Sequence, residues 1–131
     1  MAQSEESLAL HTLAVEASKK AHSPYSKLDV GVAIKTREGK IYAGCNVENA
    51  SYPEGWCAET TAIGHMIMDG GGSIAEVAVF CPQMDKITPC GGCRQRLSEF
   101  GDGETVIHLC DGGGVVESVT LAALLPKAFD F

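Results

Sequence analysis

Two short stretches limit what this chain can fold into: Cys57-Ala58-Glu59 and, thirty residues later, Pro89-Cys90-Gly91-Gly92-Cys93. Three cysteines supply three thiolate ligands for one Zn²⁺. A tetrahedral ion with three protein ligands keeps its fourth position for water, which is the catalytic rather than the structural arrangement. A lone Cys-x-x-Cys also occurs in redox dithiols and zinc knuckles. Here it follows a proline, encloses Gly-Gly, and has no second Cys-x-x-Cys to complete a four-cysteine site. The pattern therefore favours catalytic zinc over structural, redox or packing roles, and the fold must bring Cys57 beside Cys90 and Cys93.

The length of 131 residues suits one domain, 1–131, with a modest core. Hydrophobic and charged fractions of 45% and 21% are those of an ordinary soluble globular protein. A formal net charge of −7, with no basic run, argues against nucleic acid as the main partner. The N-terminus carries Glu5 and Glu6 rather than a basic stretch and an apolar core, and no window approaches a membrane span. Without a signal peptide, six cysteines favour a metal over disulfides. Cys81 and Cys110 fall in apolar, strand-like runs and read as buried small hydrophobes. These observations predict a cytoplasmic, metal-bearing protein without a membrane or nucleic-acid partner.

Along the chain, residues 3–21 read as an amphipathic helix with Leu10, Leu13, Ala14, Ala17 and Ala21 on its apolar face, capped by Ser4 with Ser7 three residues later. His11 and His22 are isolated and are not read as ligands. Residues 28–35 alternate as a strand, 35–39 turn, and 40–45 return. Residues 46–53 are too polar for a buried strand and lie where a binding loop follows one; simple loop solvation is the plainer account of Asn46 and Glu48. Residues 57–69 read as a central helix, with Ala58, Ala62, Ile63, Met66 and Ile67 giving a nearly continuous apolar surface; Gly70-Gly71-Gly72 closes it. A strand over 74–81, a short helix starting at Cys90–Cys93, strands over 105–110 and 115–119, and a last helical turn over 120–125 complete the order. It predicts a mixed sheet covered by helices, with the metal between two helix N-terminal turns.

A non-ligating glutamate beside a three-thiolate zinc and its water is the arrangement of a hydrolytic deaminase. Water must lose a proton, a ring nitrogen must gain one, and the departing amine must be protonated; Glu59, two residues past the first ligand, can serve each step. Three thiolates make the zinc a poor Lewis acid unless their charge is offset. Two helix N-termini do part of this, and Arg94, beside Cys93, is a candidate for the rest, with a plain surface arginine as the alternative.

Ser23-Pro24-Tyr25-Ser26-Lys27, the run from Gly44 to Pro53, Cys57-Ala58-Glu59, the run from Pro89 to Gln95, and Leu124-Leu125-Pro126-Lys127-Ala128-Phe129 together resemble the small homotetrameric zinc-dependent cytidine deaminases, from about residue 5 to the end. The resemblance implies a three-layer α-β-α fold with a mixed five-stranded sheet. It implies one Zn²⁺ per subunit on Cys57, Cys90 and Cys93, and Glu59 as the proton shuttle. Asn46 and Glu48 would bind the ribose hydroxyls and the Ala58 N–H the pyrimidine carbonyl. Phe129 would lie over the base of a neighbouring subunit, with Tyr52 near a neighbouring pocket, in a homotetramer whose active sites are shared. The implied activity is deamination of cytidine and deoxycytidine to uridine and deoxyuridine with release of ammonia, in pyrimidine salvage.

Two positions depart from that family. Its three-cysteine members usually read Cys-Ala-Glu-Arg, where the arginine offsets thiolate charge; this chain has Thr60, which brings a hydroxyl and no charge. Leu28 stands where a phenylalanine usually packs on the base, so apolar contact is kept and a stacking face lost. Trp56 is bulkier than expected and can refill that volume. A deaminase of modified cytosines or blasticidin-type nucleosides is the alternative these departures favour. A catalytically silent zinc protein is the alternative from a different class.

Overall fold

The computed structural model describes residues 4–131, so residue 3 of the expected first helix lies outside the described residues. Helix α1 spans Glu5–Ser18. Its start is a reciprocal cap: the Ser7 N–H donates to Ser4 Oγ at 3.0 Å and the Ser4 N–H to Ser7 Oγ at 2.9 Å. It stops short of residue 21 because the chain is captured elsewhere. The His22 N–H donates to the Asn46 carbonyl at 3.0 Å, and the Glu48 N–H returns a bond to the His22 carbonyl at 2.8 Å.

Strands β1 (Gly31–Thr36), β2 (Ile41–Cys45), β3 (Ile74–Phe80), β4 (Val106–Asp111) and β5 (Gly114–Thr120) form one sheet in the order β2-β1-β3-β4-β5. All neighbours are antiparallel except β3 and β4. That mixture is the expected one. Helix α2 (Ala58–Met68) joins β2 to β3, and α3 (Gly91–Phe100) makes the crossover that the parallel pair requires. A short α4 (Leu121–Leu124) follows β5.

The three layers follow from strand alternation. Val32, Ile34, Val77, Val79, Ile107 and Leu109 point to one face and pack with Ala58, Ala62, Ile63, Met66 and Leu97 of α2 and α3. Ala33, Ala78, Phe80 and Cys110 point to the other and meet Leu10 and Ala14 of α1. Cys81 and Cys110 are fully buried, and burial pushes the Cys110 thiol up to about 11. Two helix residues expected on apolar faces are exposed instead, Leu13 at 38% and Ile67 at 47%. Ser7, Leu10, His11, Ala14, Ala17 and Ser18 form the inner face of α1, and Leu13 falls beside that stripe.

Two glycines set how closely the layers approach. A Cβ on Gly31 would lie 1.9 Å from the Ala14 carbonyl oxygen, and one on Gly44 would lie 2.5 Å from the Ala62 nitrogen. The close seat of α2 on β2 fixes where its N-terminus falls. Because β2 and β3 run the same way, α2 and α3 are both entered from the same end of the sheet, beyond the carboxyl ends of those strands.

Candidate active site

Each of the two helices opens on a cysteine. Cys57 is the N-cap of α2 and Cys90 the N-cap of α3; both are extended, and neither sulfur caps its own helix. Cys93, one turn into α3, is buried. The three Sγ atoms lie within 4.8 Å of one another, and Cys57 and Cys90 are 3.7 Å apart. Tetrahedral coordination at a Zn–S distance of about 2.3 Å places sulfurs about 3.8 Å apart, so the set fits a zinc ion. Among the described residues this is the one such cluster.

The thiols already share charge. Hydrogen bonding from Cys93, opposed by burial and assisted by Cys90 and Arg96, pushes the Cys57 thiol down to about 6. Cys93 moves up in return, because it donates to Cys57 and is itself buried beside Glu59. Glu59 is 3% exposed, and burial first of all raises its carboxyl above the usual range. A carboxyl held that way keeps a proton more readily than a solvated one, as a proton carrier requires.

Charge compensation is arranged differently from the sequence expectation. Arg94 does not face the sulfurs. Its Nε donates to the Pro89 carbonyl at 2.8 Å and its Nη1 to the Leu124 carbonyl at 2.9 Å, tying α3 to the C-terminal segment. The hydroxyl of Thr60 makes no bond to a sulfur; its Oγ1 is buried without a hydrogen-bond partner. The guanidinium at the cluster belongs to Arg96, whose Nη1 is 3.6 Å from Cys93 Sγ. Sequence adjacency pointed to Arg94, but on a helix the neighbour of Cys93 is the residue three positions on. That spacing was the available signal.

Beside the thiols opens a cavity of about 550 Å³, lined by Leu28, Asn46, Glu48, Tyr52, Trp56, Ala58 and Glu59 among others, a size suited to a small organic ligand. Ala58 is the first residue of α2, so its N–H precedes the helix's own hydrogen-bond ladder, and the residue lines the cavity. The loop entering α2 is closed at its ends by Val47 and Trp56, which exchange backbone bonds of 3.0 and 2.9 Å. The Trp56 indole donates to Thr61 Oγ1 at 2.8 Å, which in turn donates to the Cys45 carbonyl at 2.7 Å.

Asn46 and Glu48 also line the cavity. Asn46 accepts from the Val30 N–H and donates to the Leu28 carbonyl, both at 2.9 Å. This explains why residues 28–30 lie outside β1: their backbone is bonded to a side chain. Glu48 accepts from the N–H groups of Tyr25 and Ser26 at 2.9 and 3.1 Å and from the Ser26 hydroxyl. These bonds hold its carboxyl below the usual range. One N–H and one lone pair of Asn46 remain for a ligand. Phe129 is 68% exposed, packs on Phe131, and lies outside its own chain's cavity; its carbonyl accepts from Gln95 Nε2 at 3.1 Å.

Comparison with known proteins agrees with this geometry. The profile of the cytidine and deoxycytidylate deaminase zinc-binding region matches residues 4–109. The chain is 41% identical to a cytidine deaminase of Sporosarcina psychrophila, over 87% of this chain and 84% of that one. Among solved structures it resembles a cytidine deaminase from Burkholderia pseudomallei (TM-score 0.86, 41% identity, covering 92% of this chain and 97% of that one). It also resembles one from Mycobacterium tuberculosis (TM-score 0.85, 36% identity, covering 94% and 96%).

Proposed function

This chain belongs to the zinc-dependent cytidine deaminase family, and from that premise we propose that it hydrolyses the exocyclic amine of cytidine and deoxycytidine, giving uridine or deoxyuridine and ammonia. The observation that carries the reading is a cluster of three thiols, one of which, Cys57, lines the cavity together with the buried carboxyl of Glu59. Cys57, Cys90 and Cys93 would hold the zinc. When bound, the metal supplies an activated water at the coordination position the sulfurs leave open.

The remaining steps belong to the chain. Glu59 takes the proton released as water adds to the amine-bearing ring carbon, and passes it to the adjacent ring nitrogen. It then takes the remaining proton from the newly added hydroxyl and delivers it to the amino group; the carbonyl forms as the carbon–nitrogen bond breaks, and ammonia leaves. The Ala58 N–H holds the pyrimidine carbonyl in register. Asn46 and Glu48 read the sugar hydroxyls; the bonds they make to residues 25–30 pre-set their orientation before substrate arrives.

We take residues 1–131 as one deaminase domain acting in the cytoplasm in pyrimidine salvage, and the assembly as a homotetramer with shared sites. The exposure of Phe129, of Leu13 and Ile67, and of Met68 at 87%, supports contacts between copies. Phe129 would then reach a neighbouring cavity, whereas Tyr52, expected near a neighbouring pocket, lines the cavity of its own chain.

The test is ultraviolet monitoring of zinc-loaded protein with cytidine, deoxycytidine and free cytosine, beside Glu59→Gln. Turnover of the nucleosides, lost in the variant, is expected. Folded, zinc-containing protein that converts neither nucleoside would overturn the reading and direct attention to modified cytosines, because aliphatic Leu28 lines the cavity.

A further inference from the structure

We propose that Arg96 is the positioning residue that offsets the thiolate charge of the metal centre, acting through Cys93, in a site where Thr60 and Arg94 do not. The inference rests on the zinc reading above. Three thiolates around a divalent ion leave net negative charge in a partly buried place, and such a charge needs a cation or hydrogen-bond donors. Thr60 brings neither, since its buried Oγ1 has no partner. Arg94 is spent on two carbonyls.

Three observations converge on Arg96. Its Nη1 lies at hydrogen-bond distance from the sulfur of a fully buried ligand. Its position three residues past Cys93 on α3 keeps the guanidinium over that sulfur for as long as the helix is formed. Gly92 provides the space: a Cβ there would lie 3.2 Å from Nη1 and 3.8 Å from Cζ, so the gap between Cys90 and Cys93 is open where the guanidinium passes. An arginine merely solvated at the surface would not be aimed at the sulfur.

The test replaces Arg96 by Leu, Glu and Lys in the full chain. It measures zinc affinity against a chromogenic chelator and records the sulfur-to-metal charge-transfer bands of the Co²⁺-substituted proteins. Arg96→Leu is expected to bind zinc about 10–100-fold more weakly, as loss of an outer partner of a metal ligand usually does. Arg96→Glu should be weaker still, and Arg96→Lys should recover most of the loss. The charge-transfer bands should move to lower energy in the Leu variant, because a sulfur without its N–H donor holds its electrons less tightly. Loss of packing alone would not order the variants by charge. If the wild type loads Co²⁺ into thiolate coordination and Arg96→Leu leaves both affinity and spectrum unchanged, this inference is wrong while the zinc reading stands. If the wild type shows no thiolate-to-cobalt bands, both fail.

Discussion

The N-termini of α2 and α3 are alike in design and opposite in environment. Each begins with an extended cysteine whose sulfur is free of capping duty. The α2 start is sunk in the core: Ala58 is fully buried and Glu59 nearly so, over a sheet position where only glycine fits. The α3 start is open: Cys90 is exposed, and a Cβ added at Gly91 would meet nothing within 4 Å. Burial at the first raises a carboxyl toward proton-carrying service; exposure at the second allows a guanidinium to reach in from the solvent side. The difference teaches that one metal centre can draw its acid from a dry helix end and its charge balance from a wet one.

The comparison can be broken at its shared element first. Cys93→Ala removes the buried sulfur that both halves depend on, and we expect complete loss of bound zinc by metal analysis, with no turnover. Glu59→Gln touches only the dry half. Zinc content should stay at one ion per chain while kcat falls by about 10²–10⁴-fold, the usual worth of a positioned acid-base group. A variant that lost its metal would instead mean that Glu59 supports the ligands.

The next contrast is in packing. Gly44→Ala should destabilise the fold by about 1–3 kcal/mol or more in denaturant titration, since the added methyl group meets the α2 backbone at 2.5 Å. Gly91→Ala should be close to neutral. Equal effects at the two positions would erase the distinction between a seated and an open helix start.

The smallest effect concerns the sugar-side wall. Glu48 has its carboxyl lowered by bonds from Ser26 and Tyr25. A depressed folded value contributes stability above the ordinary carboxylate range and loses it as pH falls through the folded value. The melting-temperature gap between wild type and Glu48→Gln should therefore be largest near neutrality and close as the solution is made more acid than an ordinary carboxylate's range. A gap independent of pH would show that those bonds do not depend on charge.

Much of this could be read along the chain. The alternation in residues 28–35, the apolar run over 74–81 and the helical periods in 3–21 and 57–69 placed the sheet and its covering helices, because burial of apolar side chains repeats with backbone geometry. The three cysteines and Glu59 were legible because metal chemistry demands particular residue types at close spacing. The end of α1 was not, since His22 is captured by backbone groups of Asn46 and Glu48, remote in sequence. Nor was the loop character of Leu28 to Val30, whose alternation reads as strand until the side chain of Asn46 takes their hydrogen bonds.

The sequence by itself determined the order of elements, the ligand set and the candidate acid, all of which are properties of residue type and local spacing. Tertiary structure decided which arginine serves the metal. Arg94 and Arg96 are equivalent as letters near Cys93. The turn of α3 sends the first to the carbonyls of Pro89 and Leu124 and the second to the sulfur, and direction in space, unlike composition, exists only once the helix is docked.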